Sequence, residues 1–247
     1  MEVGSYLRRT QGRETFCCGP LPGFPEGCIV KRTRPAGPGW MRALAARRAG
    51  RREHENLLAL GALGVRVPRA IAWAAGGLRE SASVVVMEQV RHRRTLRDAL
   101  EMAGAAERRR LGEGLLALVA RLHAQGFHHR DLYLQHVIVR EPDEALVLID
   151  VGRVRRARRA RWLVKDLAAL LHSTPVRVTE RERLRFAAGW LDARGVTGRS
   201  ARRRWLRAVE RKRARMSARL PRDERAGGAG QHSAARADAR RPTTSGR

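Results

Sequence analysis

A few scarce residues in this 247-residue chain stand at spacings that could do chemistry. His129-Arg130-Asp131 follows directly on an amphipathic stretch. Nineteen residues after Asp131 comes Asp150, at the end of an apolar run and ahead of Val151-Gly152. Far upstream, Lys31 lies on a short strand-like run and Glu53 on the helical run after it. The order is strand lysine, helix glutamate, loop aspartate, strand-end Asp-x-Gly. These are the parts needed to hold a nucleoside triphosphate and pass its terminal phosphoryl group to a hydroxyl. Lys31 supplies a fixed cation for the α- and β-phosphates, and a carboxylate on the neighbouring helix holds that lysine in place. Asp150 is the candidate Mg²⁺ ligand, and Asp131 the group that orients or deprotonates the attacking hydroxyl. Arg and Gly motifs carry little weight in a chain with 49 Arg and 24 Gly, but only eight Asp and three Lys are present. Their order is therefore informative.

Helical periodicity chooses between two adjacent carboxylates. At about 100° per residue, Glu53, Leu57 and Leu60 fall within about 60° of one another, and Glu55 points elsewhere. Glu53 is thus the expected partner of Lys31.

Several elements must position these groups. Strands are expected at 28–32, 65–73 and 83–87, and a helix over 41–63 stopped by Gly64. A short helix follows at 95–102. The clearest helix covers 107–125, where Leu111, Leu115, Leu118 and Leu122 form one stripe and Gly126 ends it. Two apolar strands, 136–139 and 145–149, flank a turn, and the rest reads as helix at 162–173, 180–193 and 199–219. Strands early and helices late predict a two-lobed α+β fold, and the order of lysine, glutamate and the two aspartates makes the expected type protein-kinase-like. The expected division is a short nucleotide-binding lobe over 1–90, a catalytic and acceptor-binding lobe over 91–219, and a basic tail over 220–247. That tail lacks large apolar residues from 221 onward and is expected to be disordered. No glycine-rich phosphate loop is recognisable before Lys31, because Gly19, Gly23 and Gly27 lie in a Pro-rich stretch unlike a tight hairpin.

The formal net charge is +28, with 52 Lys+Arg against 24 Asp+Glu. Arg outnumbers Lys 49 to 3, as expected where a GC-rich genome drifts toward Arg codons, so part of this excess is expected to carry no function. About two thirds of it is concentrated at 151–165, 199–219 and 221–247, which points to an anionic partner. Three cysteines, with no zinc-like spacing, suit a reducing cytoplasmic protein.

The stretches 126–139 (GFHHRDLYLQHVIV), 148–153 (LIDVGR) and 161–170 (RWLVKDLAAL) resemble the Kdo/WaaP lipopolysaccharide kinase family. So do 52–58 (REHENLL) and 63–68 (LGVRVP). The resemblance implies ATP-dependent phosphorylation of a heptose or Kdo hydroxyl in the lipopolysaccharide inner core, with ATP and Mg²⁺ as cofactors. It makes Asp131 the catalytic aspartate and places Lys31, Glu53 and Asp150 at the nucleotide. His136 stands where protein kinases carry a metal-binding Asn, which implies a metal or phosphate role; a structural loop histidine is the alternative. His129, Arg130 and Asp166 are implied as support for the catalytic loop.

Only sixteen residues separate Asp150 from Asp166, and no Ala-Pro-Glu platform for a peptide lies between them. A sugar or acidic glycolipid acceptor is therefore expected. The basic helix at 199–219 predicts peripheral contact with an anionic membrane on its cytoplasmic face. A kinase for another small molecule or a protein is one alternative. An Arg-rich nucleic-acid-binding non-enzyme is another, disfavoured by 4% aromatic content and the lack of a recognition motif.

Overall fold

The computed structural model describes residues 6–10, 12–77, 81–157 and 159–218. The expected tail lies outside them. Five antiparallel strands form the first lobe: β1 (Tyr6–Thr10), β2 (Arg13–Cys18), β3 (Cys28–Thr33), β4 (Ala70–Ala75) and β5 (Ser83–Glu88), in the order β1-β2-β3-β5-β4. The long helix α1 (Trp40–Ala62) packs on this sheet. Gly50 permits the close approach: a Cβ there would lie 2.6 Å from the Val84 carbonyl oxygen. The Gly50 N–H also donates to Ser83 Oγ at 2.9 Å, tying helix to strand.

Two elements differ from the sequence reading. The first 27 residues contain a β1–β2 hairpin that no apolar alternation announces. Its turn needs Gly12, which has φ +77° and would place a Cβ 2.8 Å from the Arg34 carbonyl oxygen. The hairpin directly precedes the Lys31 strand in the sheet, and the glycine in its turn is Gly12, not Gly19, Gly23 or Gly27. Residues 65–69 are not strand, because Pro68 has no N–H to donate to a ladder; β4 begins at Ala70.

The second lobe is mainly helical. A strand β6 (His92–Thr95) leads into α2 (Leu96–Met102), whose start is closed by a Thr95–Asp98 capping box. Helix α3 (Ala105–Ala124) buries Leu111, Leu115, Val119 and Leu122. Leu118 is only partly covered, since steps of four, four and three track the helix better and put Val119 at the centre of the stripe. Strand β7 (Phe127–His128) then opens the loop containing Asp131. Strand β8 (Val137–Arg140) pairs with β6 on one side and β9 (Leu146–Leu148) on the other in a three-stranded sheet, and β10 (Arg155–Arg156) pairs with β7. Helices α4 (Ala160–Ser173), α5 (Glu180–Ala193) and α6 (Arg199–Ser217) complete the lobe.

One apolar cluster runs from Leu57 and Leu60 of α1, through Leu132 and Leu148 beside the Asp131 loop, to Trp190 of α5. Helix α6 is part of it. Val209 is buried, Trp205 stacks edge-on against Trp190, and the arginines take the remaining faces.

Candidate active site

Lys31 enters the cleft from the middle of β3 and meets two carboxylates. Its Nζ donates to Glu53 Oε1 at 2.7 Å and to Asp150 Oδ1 at 3.3 Å. Burial pushes the Lys31 ammonium down, but Glu53 and Asp150 outweigh it and its pKa is raised. Glu55 pairs instead with Arg51 on the outer surface at 2.7 Å, as helical phase dictates. Glu53 is itself buried against Gly152, where a Cβ would lie 2.9 Å from Glu53 Oε2. The glycine of the Asp-x-Gly motif thus makes room for the carboxylate that holds Lys31.

Asp150 takes a left-handed backbone conformation, φ 57° and ψ 47°, which Asp tolerates better than most residues. Burial works against its charge, yet Lys31 and then His136 hold its carboxyl down to about 2. His136 lies in the short turn before β8. Its Nδ1 donates to the Asp131 carbonyl oxygen at 2.8 Å, and its Nε2 lies 3.8 Å from Asp150 Oδ2. An imidazole nitrogen beside a carboxylate oxygen is a donor pair that a divalent cation can use in place of the ring proton. Asp131 is held by cations at both oxygens: Arg153 Nη1 at 2.6 Å from Oδ2 and Lys165 Nζ at 3.3 Å from Oδ1.

Below this layer a buried network shapes the loop. Asp166, fully excluded from solvent, accepts from the backbone N–H of His129 at 2.8 Å and of Arg130 at 2.7 Å. The second bond fixes Arg130 at φ 70°, a conformation that costs a non-glycine residue about 1–2 kcal/mol. The His129 ring donates Nε2–H to the Ile149 carbonyl at 3.1 Å, joining this loop to the residue before Asp150. Burial lowers the His129 pKa and keeps the ring neutral.

All eight residues singled out from the sequence are brought into one region. Three contributors carried no adequate sequence signal. Trp190 donates its indole N–H to His123 Nδ1 at 3.0 Å, so His123 carries its proton on Nε2 and presents it to Asp166 at 3.3 Å. This explains the buried His123, His128 and Asp166 group as a structural network whose His123 nitrogens are both engaged. Asn56, the chain's only asparagine, donates to the carbonyls of Val151 at 2.7 Å and Val154 at 3.2 Å, fastening α1 to the loop after Asp150. Arg153 shared an undifferentiated arginine run, and nothing in that run marked it as the partner of Asp131.

Comparison with known families matches residues 40–190 to the lipopolysaccharide kinase (Kdo/WaaP) family. The chain belongs to that family. Its members are lipopolysaccharide kinases, phosphotransferases that act on sugar hydroxyls. A relative from Pseudomonas aeruginosa strain PAO1, the lipopolysaccharide core heptose(I) kinase WaaP, is 38% identical over 88 residues. The aligned stretch covers 32% of this chain and 33% of that relative. The solved structure of WaaP in complex with acyl carrier protein matches with a TM-score of 0.66 at 26% identity, covering 86% of this chain and 88% of the other. The small antiparallel sheet lobe and helical lobe are thus a kinase-like fold. Among the described residues no helix is long and apolar enough to cross a membrane.

Proposed function

We propose that this member of the family uses ATP and Mg²⁺ to phosphorylate a heptose or Kdo hydroxyl of the lipopolysaccharide inner core. The observation that carries the reading is the connection of both aspartates within one cleft: Lys31 bonds Glu53 and Asp150, and His136 reaches from the Asp131 carbonyl toward Asp150. Lys31, fixed by Glu53, is the cation for the nucleotide phosphates. Asp150 and His136 are the groups that would hold Mg²⁺, which when bound neutralises charge between the phosphates. Asp131 orients the acceptor hydroxyl and takes its proton at a carboxylate oxygen. Lys165 and Arg153 keep that carboxylate aimed and offer positive charge to the group in transfer. Asp166, His129 and the Arg130 backbone support the loop.

The acceptor reading is supported by the short segment between Asp150 and Asp166. Arg155, Arg156, Arg159 and Arg161 lie along it, suited to an acidic glycolipid. The arginines of α6 that do not pack inward suit an anionic membrane face. We include a carrier-protein contact of the kind seen in the structural neighbour, tested by titrating acyl carrier protein into the purified chain. The main test incubates the protein with ATP, Mg²⁺ and dephosphorylated core oligosaccharide. Transfer at least about a hundredfold above the Asp131→Ala variant is expected. No transfer above that control refutes the proposal, and transfer to a protein or simple sugar in place of the core assigns a different acceptor.

A further inference from the structure

Helix α1 begins in a tip that the rest of the fold leaves uncovered. Residues 36–42 (AGPGWMR) are seven consecutive exposed positions. Trp40 is 75% and Met41 68% exposed, and they form the one adjacent pair among the exposed large hydrophobic residues of the described segments. The tip is braced. Arg42 folds back so that its Nη1 donates to the Ala36 carbonyl at 3.2 Å. The Arg34 N–H donates to the Gly12 carbonyl at 2.7 Å, tying the loop to the β1–β2 turn. A Trp and a Met held out in water forgo the gain from burial, which a partner can supply.

The charge around the tip says what kind of partner. Residues 27–52 contain eight Lys and Arg and no Asp or Glu. Arg34, Arg42 and Arg48 are exposed. Gly39 caps α1 without a side-chain hydrogen bond and the first turn holds no acid, so the positive end of the helix adds to the field. Cations flanking an exposed Trp–Met pair match an anionic bilayer. Headgroup phosphates take the guanidiniums, and the indole and thioether enter the boundary with the acyl chains. Nucleic acid would engage the arginines but has no apolar layer for Met41, and a folded protein would need a pocket shaped to the tip. Helix α6 differs: Trp205, Leu206, Val209 and Met216 pack into the core, so it offers charge without insertion.

We propose that the α1 tip, Trp40 and Met41 with Arg34, Arg42 and Arg48, inserts into the headgroup boundary of an anionic lipid bilayer. The contact anchors the sheet lobe through the helix that carries Glu53 and the loop bonded to the Gly12 turn. It is separate from the electrostatic face of α6, and it does not depend on phosphoryl transfer or on which hydroxyl accepts the group.

The test uses full-length protein and vesicles of mixed phosphatidylglycerol and phosphatidylethanolamine, with pure phosphatidylcholine vesicles as the uncharged control. Co-sedimentation compares wild type with W40S/M41S and R34Q/R48Q. Wild type is expected to bind the anionic vesicles and not the control. W40S/M41S is expected to bind at least about tenfold more weakly and to lose its remaining binding at about 0.5 M salt, where wild type keeps a measurable part. R34Q/R48Q is expected to bind about tenfold more weakly at low salt. Lipids brominated on the acyl chains report depth: they are expected to quench wild-type tryptophan fluorescence, and W40F is expected to lose most of that quenching. No vesicle binding by wild type, equal binding by W40S/M41S, or equal quenching in W40F overturns the proposal. Binding to duplex DNA in place of vesicles, weakened in W40S/M41S, assigns the tip to nucleic acid and also overturns it. If W40S/M41S melts lower than wild type, the W40F quenching decides.

Discussion

Replacing Asp166 by Asn tests whether the buried network, and not the cleft residues above it, holds the loop in shape. The carboxylate accepts two backbone N–H groups, at 2.8 and 2.7 Å, and the His123 Nε2–H at 3.3 Å, with no solvent access. Asparagine has one acceptor oxygen, so it keeps at most part of this set and turns an NH₂ toward a donor. A buried donor left unpaired costs about 1–3 kcal/mol. Loss of the charged acceptor weakens the surviving bond to roughly half. The expected destabilisation is about 3 kcal/mol, a large share of the roughly 5–15 kcal/mol of a typical domain. Urea unfolding of both proteins at neutral pH measures it. A loss below about 1 kcal/mol refutes the reasoning, because Asp166 would then be dispensable to the loop. The Trp190–His123–Asp166 chain makes a second demand: D166N and W190F must not add independently. A coupling of about 0.5–3 kcal/mol is expected for one connected network, and strict additivity breaks the chain.

Three further outcomes follow from the cleft. Glu53→Gln is expected to weaken ATP binding by about tenfold or more through loss of the charged partner of Lys31, whereas Glu55→Gln, which touches only exposed Arg51, is expected to leave it within about twofold; equilibrium nucleotide titration separates them. Gly152→Ala places a Cβ 2.9 Å from Glu53 Oε2, so it is expected to loosen the Lys31–Glu53 pair and cost about 1–3 kcal/mol in urea unfolding. Asp150 has its carboxyl lowered from 3.8 to about 2, so its stabilisation is complete above the unfolded value and is lost as pH falls from about 4 to about 2. Lys31 has its pKa raised, so its contribution is complete below the unfolded value and is lost as pH rises through the higher folded one. Stability against pH should show both slopes in wild type; D150N should lack the acid one and K31M the alkaline one.

Chain order alone was enough to place Lys31, Glu53, Asp131 and Asp150 as candidates, because scarce residue types at particular spacings carry information that 49 arginines do not, and the family resemblance added Asp166. Local periodicity likewise separated Glu53 from Glu55 and outlined nearly every helix, since a 3.6-residue repeat depends only on near neighbours. Contacts across the fold decided the rest. The β1–β2 hairpin exists because β3 provides an edge on which it pairs, not because its own residues alternate. Arg153 and Asn56 acquired partners only when α1 and the loop after Asp150 were folded against each other. Trp190 found His123 across 67 positions of chain. Residue type says what a side chain can donate or accept; only tertiary packing decides which group is brought within hydrogen-bond distance of it and shut away from competing water.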